Sequence, residues 1–297
     1  MFSTFFSRLG VFFLKMISRL PLRWLYKLSG LLYFIVYFII RYRKDVVFMN
    51  LKNSFPEKDD AGITAVAKEY YRHLCDTMLE SLVRFGHAGN DLKNIVDLSE
   101  AKKLDKYFEE GVSILMLSFH YGNWEFGKFL AVVTKHKNFQ VYNPQRNRIY
   151  DSYINGLRAE YGGIPVPTKR IYKKLVECRS KNEVTLTILI ADQTPLPTSK
   201  FWTVFLNQET PFFPGPGRLS TRIKNQPLLL YYFEKNGRGR YKLIIEPLVD
   251  NPSGYSENEI LKIYALKIEG IIKKNPQYYL WSHRRWKHKR PEGITLQ

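Results

Sequence analysis

Cysteine is scarce in this sequence, and its scarcity excludes two kinds of architecture. The chain of 297 residues has only two cysteines, Cys75 and Cys178, far apart and outside any C-x-x-C motif. Neither a disulfide framework nor a zinc ribbon is therefore predicted, and a reducing, cytoplasm-facing setting follows. Internal repeats and low-complexity segments are missing as well, so no repeat architecture is expected.

Acidic residues are also few, and this imbalance narrows the choice of partners. Against 46 Lys and Arg stand 27 Asp and Glu, which leaves a net charge of +19. Such a charge favours nucleic acid, anionic lipid or an acidic carrier protein as a partner. Nucleic acid is disfavoured because the chain has no RNP, helix-turn-helix or zinc-finger pattern, and because nucleic-acid binding would leave the apolar N-terminus unexplained.

The first 45 residues predict a membrane anchor. Residues 24–40, "WLYKLSGLLYFIVYFII", approach the length of about 20 residues that a spanning helix needs, and Lys27 is their only charge. Residues 1–20 mix aromatic and basic side chains as an interfacial helix does. No small-residue cleavage site follows, which argues against a signal peptide. A buried core helix is the alternative. Basic residues flank 24–40 on both sides, so the orientation of this helix in a membrane stays open. Whether it spans the bilayer or lies in the interface also stays open.

The rest of the chain, residues 46–297, predicts one α/β domain. Apolar runs predict buried strands at 112–119, 139–143 and 184–191, and a hairpin over 227–248 that turns at Asn236 and Gly237. Helical patterns cover 61–85, 123–135, 150–161, 169–180 and 256–274, the last opening on a capping box at Ser256. The Pro- and Gly-rich residues 194–220 predict a long loop beside the site. This alternation predicts a largely parallel central sheet flanked by helices.

The stretch "SILMLSFHYGNWEFGKFL", residues 113–130, carries the candidate site. It predicts a strand that presents His120 at its carboxyl end, where open α/β sheets bind ligands, followed by a helix that Asn123 caps. Glu125 would then lie in the first helical turn and hydrogen-bond one imidazole nitrogen, leaving the other as a base. Gly122 would let a substrate approach the backbone, and Trp124 would line an apolar wall. The alternative is a surface pair at a helix start.

Two other kinds of site find no support near His120. No G-x-S-x-G elbow or similarly placed cysteine accompanies the histidine, and a bound substrate hydroxyl could take the place of a protein nucleophile. The spacing is not the H-E-x-x-H of zinc proteases and no third ligand is evident, so no metal is predicted.

These residues resemble a known family. "HYGNWE" resembles the H-x-x-x-x-[DE] motif of the lysophospholipid acyltransferase superfamily, and its G-N-W-E form resembles the lipid A late acyltransferases, the lauroyl and myristoyl transferases of bacterial endotoxin synthesis. Further blocks agree in order along nearly the whole chain: "NLKNSFPE" at 50–57, "VYNPQRN" at 141–147, "RAEYGG" at 158–163, "ADQ" at 191–193 and "YLWSHRRWKHKRP" at 279–291.

The resemblance implies an O-acyltransferase of the bacterial inner membrane, with a single N-terminal anchor and a catalytic domain facing the cytoplasm. Its donor would be an acyl-acyl carrier protein, with acyl-CoA as the alternative, and its acceptor an anionic membrane glycolipid such as a lipid A precursor. The carrier protein and membrane lipids would be its partners, with neither nucleic acid nor a separate cofactor. Another lysolipid or aminolipid acceptor, or a catalytically silent membrane scaffold, are the alternatives.

The resemblance also implies roles for individual residues. His120 would deprotonate the acceptor hydroxyl and Glu125 would orient His120. Arg158 would stabilise the tetrahedral intermediate or hold an acceptor phosphate, an ordinary salt bridge being the alternative. Gly162, in the same block, would help to bind the substrate. Asp192 and Gln193 follow the strand 184–191, so we expect them at the same edge of the sheet as His120, where they would shape the acceptor pocket.

Three further segments qualify the resemblance. Asn143 stands where the family commonly has an arginine, and Arg146 or Arg148 would replace that contact. "FFPGPGRLS" at 212–220 has Gly215 where glycerolipid acyltransferases have a glutamate, which favours the lipid A branch. The basic run at 282–291 would bind anionic headgroups, at about 1 kcal/mol for each Lys or Arg, or an acidic carrier protein, unless it is merely a solvated tail.

Overall fold

The fold is α/β, as the sequence predicts. The computed structural model describes residues 2–83, 91–223 and 226–297. The strands are β1 Val96–Asp97, β2 Ile114–Ser118, β3 Lys137–Tyr142, β4 Ile164–Pro167, β5 Thr185–Ile190, β6 Trp202–Phe205, β7 Gln208–Pro211, β8 Leu228–Lys235 and β9 Tyr241–Val249. The helices are α1 Phe2–Ile17, α2 Leu22–Phe34, α3 Lys44–Ser54, α4 Asp60–Glu80, α5 Asp105–Glu109, α6 Leu130–Val133, α7 Arg148–Ala159, α8 Ile171–Ser180, α9 Gly215–Arg222 and α10 Glu257–Lys274.

Seven strands form one mostly parallel sheet in the order β1-β9-β8-β2-β5-β3-β4. Among its described pairs only β8 with β9 is antiparallel, and these two strands are the predicted hairpin around Asn236 and Gly237. Strand β2 lies at the centre and all five of its residues are buried. Its side chains alternate between two cores, Leu115 and Leu117 on one face and Ile114 and Met116 on the other. Burial on both faces explains why this strand reads as a continuous apolar run.

The predicted long loop at 194–220 is wrong, because it contains regular structure. Strands β6 and β7 pair as an antiparallel hairpin there, and α9 follows. The hairpin turns at Leu206 and Asn207, which both have positive φ, 50° and 59°. Two-residue hairpin turns need such backbone, but Gly, Asn and Asp usually supply it, so a leucine there hides the turn in the sequence.

The helix predicted over 123–135 is also shorter than expected. A 3₁₀ turn occupies Trp124–Phe129 and only Leu130–Val133 is α-helical. The other predicted helices are present with small shifts of their ends, and α10 opens with the capping box that Ser256 and Glu259 were expected to form. The end of the helix predicted over 61–85 lies partly outside the described residues.

One described helix is long and apolar enough to cross a membrane. It comprises α2 and the π-helical turn Ile35–Ile39, spans Leu22–Ile39 and has a mean hydropathy of 1.3. It matches the predicted anchor segment at 24–40 and is a candidate membrane anchor.

Candidate active site

His120 lies where the sequence places it, two residues beyond the end of β2. The neighbouring strand β5 runs parallel to β2 and pairs Ile190 with Ser118. Asp192 therefore stands beside His120, because each lies two residues past a paired position. The two residues are joined twice: His120 Nδ1 is 2.6 Å from Asp192 Oδ1, and the backbone N–H of His120 donates to Oδ2 at 3.0 Å.

This pairing fixes which imidazole nitrogen can act as a base. The carboxylate of Asp192 only accepts, so Nδ1 carries the proton and Nε2 has a free lone pair. The amide Nε2 of Gln193 lies 3.4 Å from Nε2 of His120, as a donor would. A hydroxyl that replaced the glutamine contact could pass its proton to Nε2.

The charges of the pair reinforce each other. His120 is 9% exposed and Asp192 is 2% exposed. Burial lowers the pKa of His120, but the charge and hydrogen bond of Asp192 outweigh it, so the pKa lies above 6.5. Burial raises the pKa of Asp192, and the contacts with His120 reverse that effect and hold it below 3.8. The aspartate is therefore ionised at neutral pH and strengthens the basicity of the imidazole.

Asp192, and not Glu125 as expected, accepts the hydrogen bond that orients the imidazole of His120. Glu125 lies in the 3₁₀ turn after the strand and faces α7, where its Oε1 and Oε2 are 3.3 and 3.5 Å from Nη2 of Arg158. Its charge still acts on His120, raising the pKa of the imidazole. The local pattern missed the true partner because Asp192 is 72 residues away and reaches His120 only through the pairing of β2 with β5.

The turn of residues 119–125, the candidate catalytic turn, is held by packing more than by capping. Asn123 does not cap the following turn; its Nδ2 donates to Glu80 Oε2 at 3.0 Å. Gly122 has φ +57°, and a Cβ there would lie 2.0 Å from the carbonyl oxygen of Phe233. The glycine is thus required by the close approach of β8, and its expected role in admitting a substrate to the backbone stays a prediction.

The C-terminal segment closes the turn from the other side. Gly122 donates its backbone N–H to Tyr278, and Leu280 donates its own to the carbonyl of His120, at 3.0 and 3.1 Å. Tyr121 and Tyr279 form an isolated antiparallel bridge between these hydrogen bonds. The "YLWSH" and "HYGNWE" blocks of the sequence are therefore one structural unit.

An apolar cavity of about 550 Å³ opens beside this turn. Trp124 lines it and packs edge-on against His120, with ring centroids 5.1 Å apart. Helices α4 and α7 form much of its wall, together with the end of the N-terminal helix. Its apolar lining residues include Val36, Ile40, Leu74, Cys75, Met78, Ile154, Leu157 and Leu280. Such a cavity suits a hydrocarbon chain.

Polar side chains also line this cavity. Glu125 and Arg158, both predicted, line the cavity together with Lys128 and His283, which the sequence reading did not single out. Burial lowers the pKa of Lys128 to about 8, and its Nζ donates to the carbonyl of Ser81 at 2.8 Å. Burial also lowers the pKa of His283 to about 4, so its imidazole is neutral at pH 7. A lysine inside the apolar run after Glu125 could have marked Lys128, and His283 belongs to the block "YLWSHRRWKHKRP" that carries part of the resemblance.

The remaining predicted residues lie away from this centre. Arg146 is exposed in the loop before α7 and is not among the residues that line the cavity. Gly162 has φ +88° in the turn between α7 and β4, where a positive φ favours glycine. The resemblance implies a donor or acceptor contact for Arg146 and substrate binding for Gly162, and both roles stay predictions.

The basic segment 282–291 is only partly available to a partner. Arg285 is 1% exposed, and its guanidinium lies 4.6 Å from the ring of Phe212. Arg290 forms hydrogen bonds to both carboxylate oxygens of Glu209. The exposed cations of the segment are Arg284, Lys287 and Lys289. Headgroup or carrier-protein binding would therefore rest on three side chains.

Comparison with known proteins identifies the family. A family described as "Bacterial lipid A biosynthesis acyltransferase" matches residues 1–288. The chain belongs to this family. No curated protein matches the chain at a significant level.

Membership in the lipid A biosynthesis acyltransferase family makes the chain an acyltransferase, and the resemblance carried by "HYGNWE" is confirmed. Within the described residues, no group of three or more His, Cys, Asp and Glu side chains could hold a metal ion.

Proposed function

We propose that the protein transfers a fatty acyl chain from an acyl carrier protein thioester to a hydroxyl group of a membrane glycolipid, a lipid A precursor. The observation that carries this proposal is the His120–Asp192 pair beside an apolar cavity of about 550 Å³. The pair supplies a base for a hydroxyl, and the cavity supplies space for the acyl chain. The family match supports the reaction class.

The transfer takes place in two steps that both use His120. In the first step, Nε2 accepts the proton of the acceptor hydroxyl while the hydroxyl oxygen bonds to the thioester carbonyl carbon. In the second, the tetrahedral intermediate collapses, the carbon–sulfur bond breaks, and the imidazolium returns the proton to the departing thiolate. Asp192 keeps the proton of Nδ1 in place and stabilises the imidazolium between the steps.

Arg158 is the proposed stabiliser of the negative charge that develops on the carbonyl oxygen. Its guanidinium lines the cavity and contacts Glu125, so the carboxylate fixes the arginine instead of the histidine. A preorganised cation in a water-poor site lowers such a barrier by several kcal/mol. Binding a phosphate of the acceptor is the alternative role of Arg158, and Gln193 would contact the acceptor hydroxyl beside His120.

We place the reaction at the cytoplasmic face of the bacterial inner membrane, where acyl carrier protein is present. The net charge of +19 favours both an acidic carrier protein and anionic lipid. Cys75 and Cys178 are free and buried, which fits a domain in a reducing compartment. Acyl-CoA is the alternative donor.

Mass spectrometry of total lipids tests the proposal. Membranes containing the protein, and matched membranes without it, are incubated with a labelled acyl carrier protein thioester and a lipid A precursor. A labelled chain on the precursor only when the protein is present supports both the reaction and the acceptor. Label on an aminolipid or another lysolipid overturns the acceptor alone, whereas no label on any lipid favours a silent scaffold.

A further inference from the structure

The N-terminal apolar helix runs lengthwise along α4 and does not project from the domain. Four contacts join the two helices in antiparallel order: Tyr26 with Glu80, Ser29 with Asp76, Tyr33 with Arg72, and Tyr37 with Tyr71. The first two are hydrogen bonds of 2.9 and 2.6 Å, and the last two are ring contacts of 5.1 and 5.3 Å. The helix is thus fixed from Tyr26 to Tyr37 to a helix of the catalytic domain.

The partners on α4 are themselves fixed to the sheet. Asp76 accepts from Arg238 at 2.8 Å and lies 3.5 Å from Lys235, both near the β8–β9 turn. Glu80 accepts from Tyr241 of β9 at 2.7 Å and from Asn123 of the catalytic turn at 3.0 Å. If Leu22–Ile39 crossed a bilayer, it would have to abandon these contacts or carry carboxylates and Arg72 into the hydrocarbon, which is costly.

The opposite face of the same helix is exposed and apolar. Trp24, Leu31 and Phe38 recur at seven-residue intervals, with exposures of 50, 56 and 49%, so they lie on one stripe. Helix α1 repeats the pattern with the exposed residues Phe6, Leu9, Phe13 and Met16, and the exposed Leu20 follows in the connection to α2. Exposed basic side chains accompany the stripes: Arg8, Lys15, Arg19, Arg23, Lys27, Arg41 and Arg43. Apolar stripes bordered by cations match an anionic bilayer surface.

We propose that α1 and the helix Leu22–Ile39 lie flat in the interface of an anionic membrane, with both ends on the same side, and that the chain has no spanning segment within its described residues. This inference rests on the membrane association included in the proposed function, but not on the acyl transfer itself. The protein is then held at the bilayer by its exposed stripes and basic side chains, and the buried polar contacts hold the helix to the domain.

Flat docking also explains where the cavity opens. Val36 and Ile40, at the end of the helix, belong to the cavity lining, as do Trp124 and Glu125 of the catalytic turn. The cavity therefore adjoins both the lipid-facing surface and the turn that carries His120. A glycolipid acceptor can remain in the membrane while its headgroup reaches the site.

Cysteine accessibility in the full-length protein decides between the two arrangements. Arg19→Cys and Arg41→Cys flank the helix at exposed positions, and the wild type is the blank because Cys75 and Cys178 are buried. A membrane-impermeant maleimide is added to intact spheroplasts and to inverted membrane vesicles, with detergent-solubilised protein as the measure of full reactivity. Flat docking predicts that both variants react in inverted vesicles and neither in spheroplasts. Reaction of one variant from each side would overturn the proposal.

Vesicle flotation tests the surface itself. Phe38→Asp places a charge on the stripe, and Leu266→Asp places the same charge at an exposed leucine of α10 as a matched control. On vesicles of phosphatidylglycerol and phosphatidylethanolamine, Phe38→Asp should lose binding at least tenfold relative to Leu266→Asp, and each exposed arginine removed should weaken binding about fivefold. Thermal unfolding verifies that both aspartate variants are folded. Equal flotation of the two folded variants would refute the proposal that the stripe faces lipid. Lipid acylation is measured separately, so a failed transferase assay leaves these readouts intact.

Discussion

Replacing Asp192 by asparagine should abolish most activity while leaving the fold in place. The wild-type carboxylate accepts twice, from Nδ1 of His120 at 2.6 Å and from its backbone N–H at 3.0 Å. An asparagine of the same shape has one acceptor and one donor group, so one of the two contacts must change. The backbone N–H cannot lose its proton, but an imidazole can move its proton between nitrogens. The amide oxygen should therefore keep the backbone contact, and the amide NH₂ should force the proton of His120 onto Nε2.

That tautomer cannot accept a proton from the acceptor hydroxyl. We expect kcat to fall about 10³- to 10⁴-fold, as it does when the aspartate of a serine protease triad is replaced by asparagine. The alternative orientation would leave the buried backbone N–H unpaired at a cost of about 1–3 kcal/mol, which would appear as lost stability.

The pH profile gives a second readout of the same substitution. In the wild type, Asp192 outweighs burial and holds the pKa of His120 above 6.5. Because the base must be neutral, activity is lost as the pH falls through that raised pKa. In Asp192→Asn the lowering by burial persists without the charge of Asp192, so the remaining activity should decline at a lower pH. The same pair also affects stability: a raised histidine pKa stabilises the fold below 6.5, and this stabilisation is lost as the pH rises through the raised value.

Steady-state transfer from a labelled acyl carrier protein thioester between pH 5 and 9 measures both effects, with thermal unfolding as the check on folding. Asp250→Asn makes the same chemical change at an exposed aspartate and is the control. A kcat within tenfold of the wild type, with an unmoved acidic limb, would refute the role assigned to Asp192.

Three further substitutions have defined outcomes. Glu80→Ala removes the acceptor of Asn123 and two tyrosine hydroxyls, so the free energy of unfolding should fall by about 3 kcal/mol or more, and kcat should fall with it. Gly122→Ala combines a positive φ with a clash against Phe233, and should cost more than about 2 kcal/mol by denaturant titration. Ile154→Trp narrows the cavity, so competition between thioesters should show the preferred acyl chain shortened, with discrimination of about tenfold against the original length.

A specific result would contradict each of these predictions. Unchanged stability of Glu80→Ala would mean that the buried network does not hold the catalytic turn. For Gly122→Ala the control is Gly270→Ala, which lies in α10 with nothing within 4 Å of its added Cβ and should stabilise the helix slightly. Equal effects at the two glycines would refute the steric argument. An unchanged chain-length preference in Ile154→Trp would place the acyl chain outside this cavity.

The central sheet and the position of His120 follow from local patterns. A buried apolar run that ends in a polar cluster predicts a parallel strand with a site at its carboxyl end, and β2 with His120 is that arrangement. The partner of His120, in contrast, does not follow from a local pattern. Asp192 reaches it only because β5 pairs with β2, and strand order is a property of the whole sheet that the residues near His120 do not encode. A local search therefore found Glu125, the carboxylate nearest in sequence.

The helix Leu22–Ile39 shows the same limit of prediction from local sequence. Its length and hydropathy satisfy the requirement for a spanning segment, because composition averages over both faces. What distinguishes the faces are Tyr26 and Ser29, whose partners Glu80 and Asp76 lie 54 and 47 residues away. A hydroxyl in an apolar run gives no sign of a carboxylate that only the tertiary fold brings to it.

A single-turnover measurement tests the role of His120 most directly. Purified wild-type protein, His120→Ala and His288→Ala are each mixed with a labelled acyl carrier protein thioester and the lipid A precursor in anionic vesicles, and the acylated product is followed over time. His288 is half-buried near the C-terminus, has no role in the proposed mechanism and provides the histidine control. The His120–Asp192 mechanism predicts that product forms at the wild-type rate with His288→Ala and at least about 10³-fold more slowly with His120→Ala. Transfer by folded His120→Ala at a rate near that of the wild type would show that another group removes the proton.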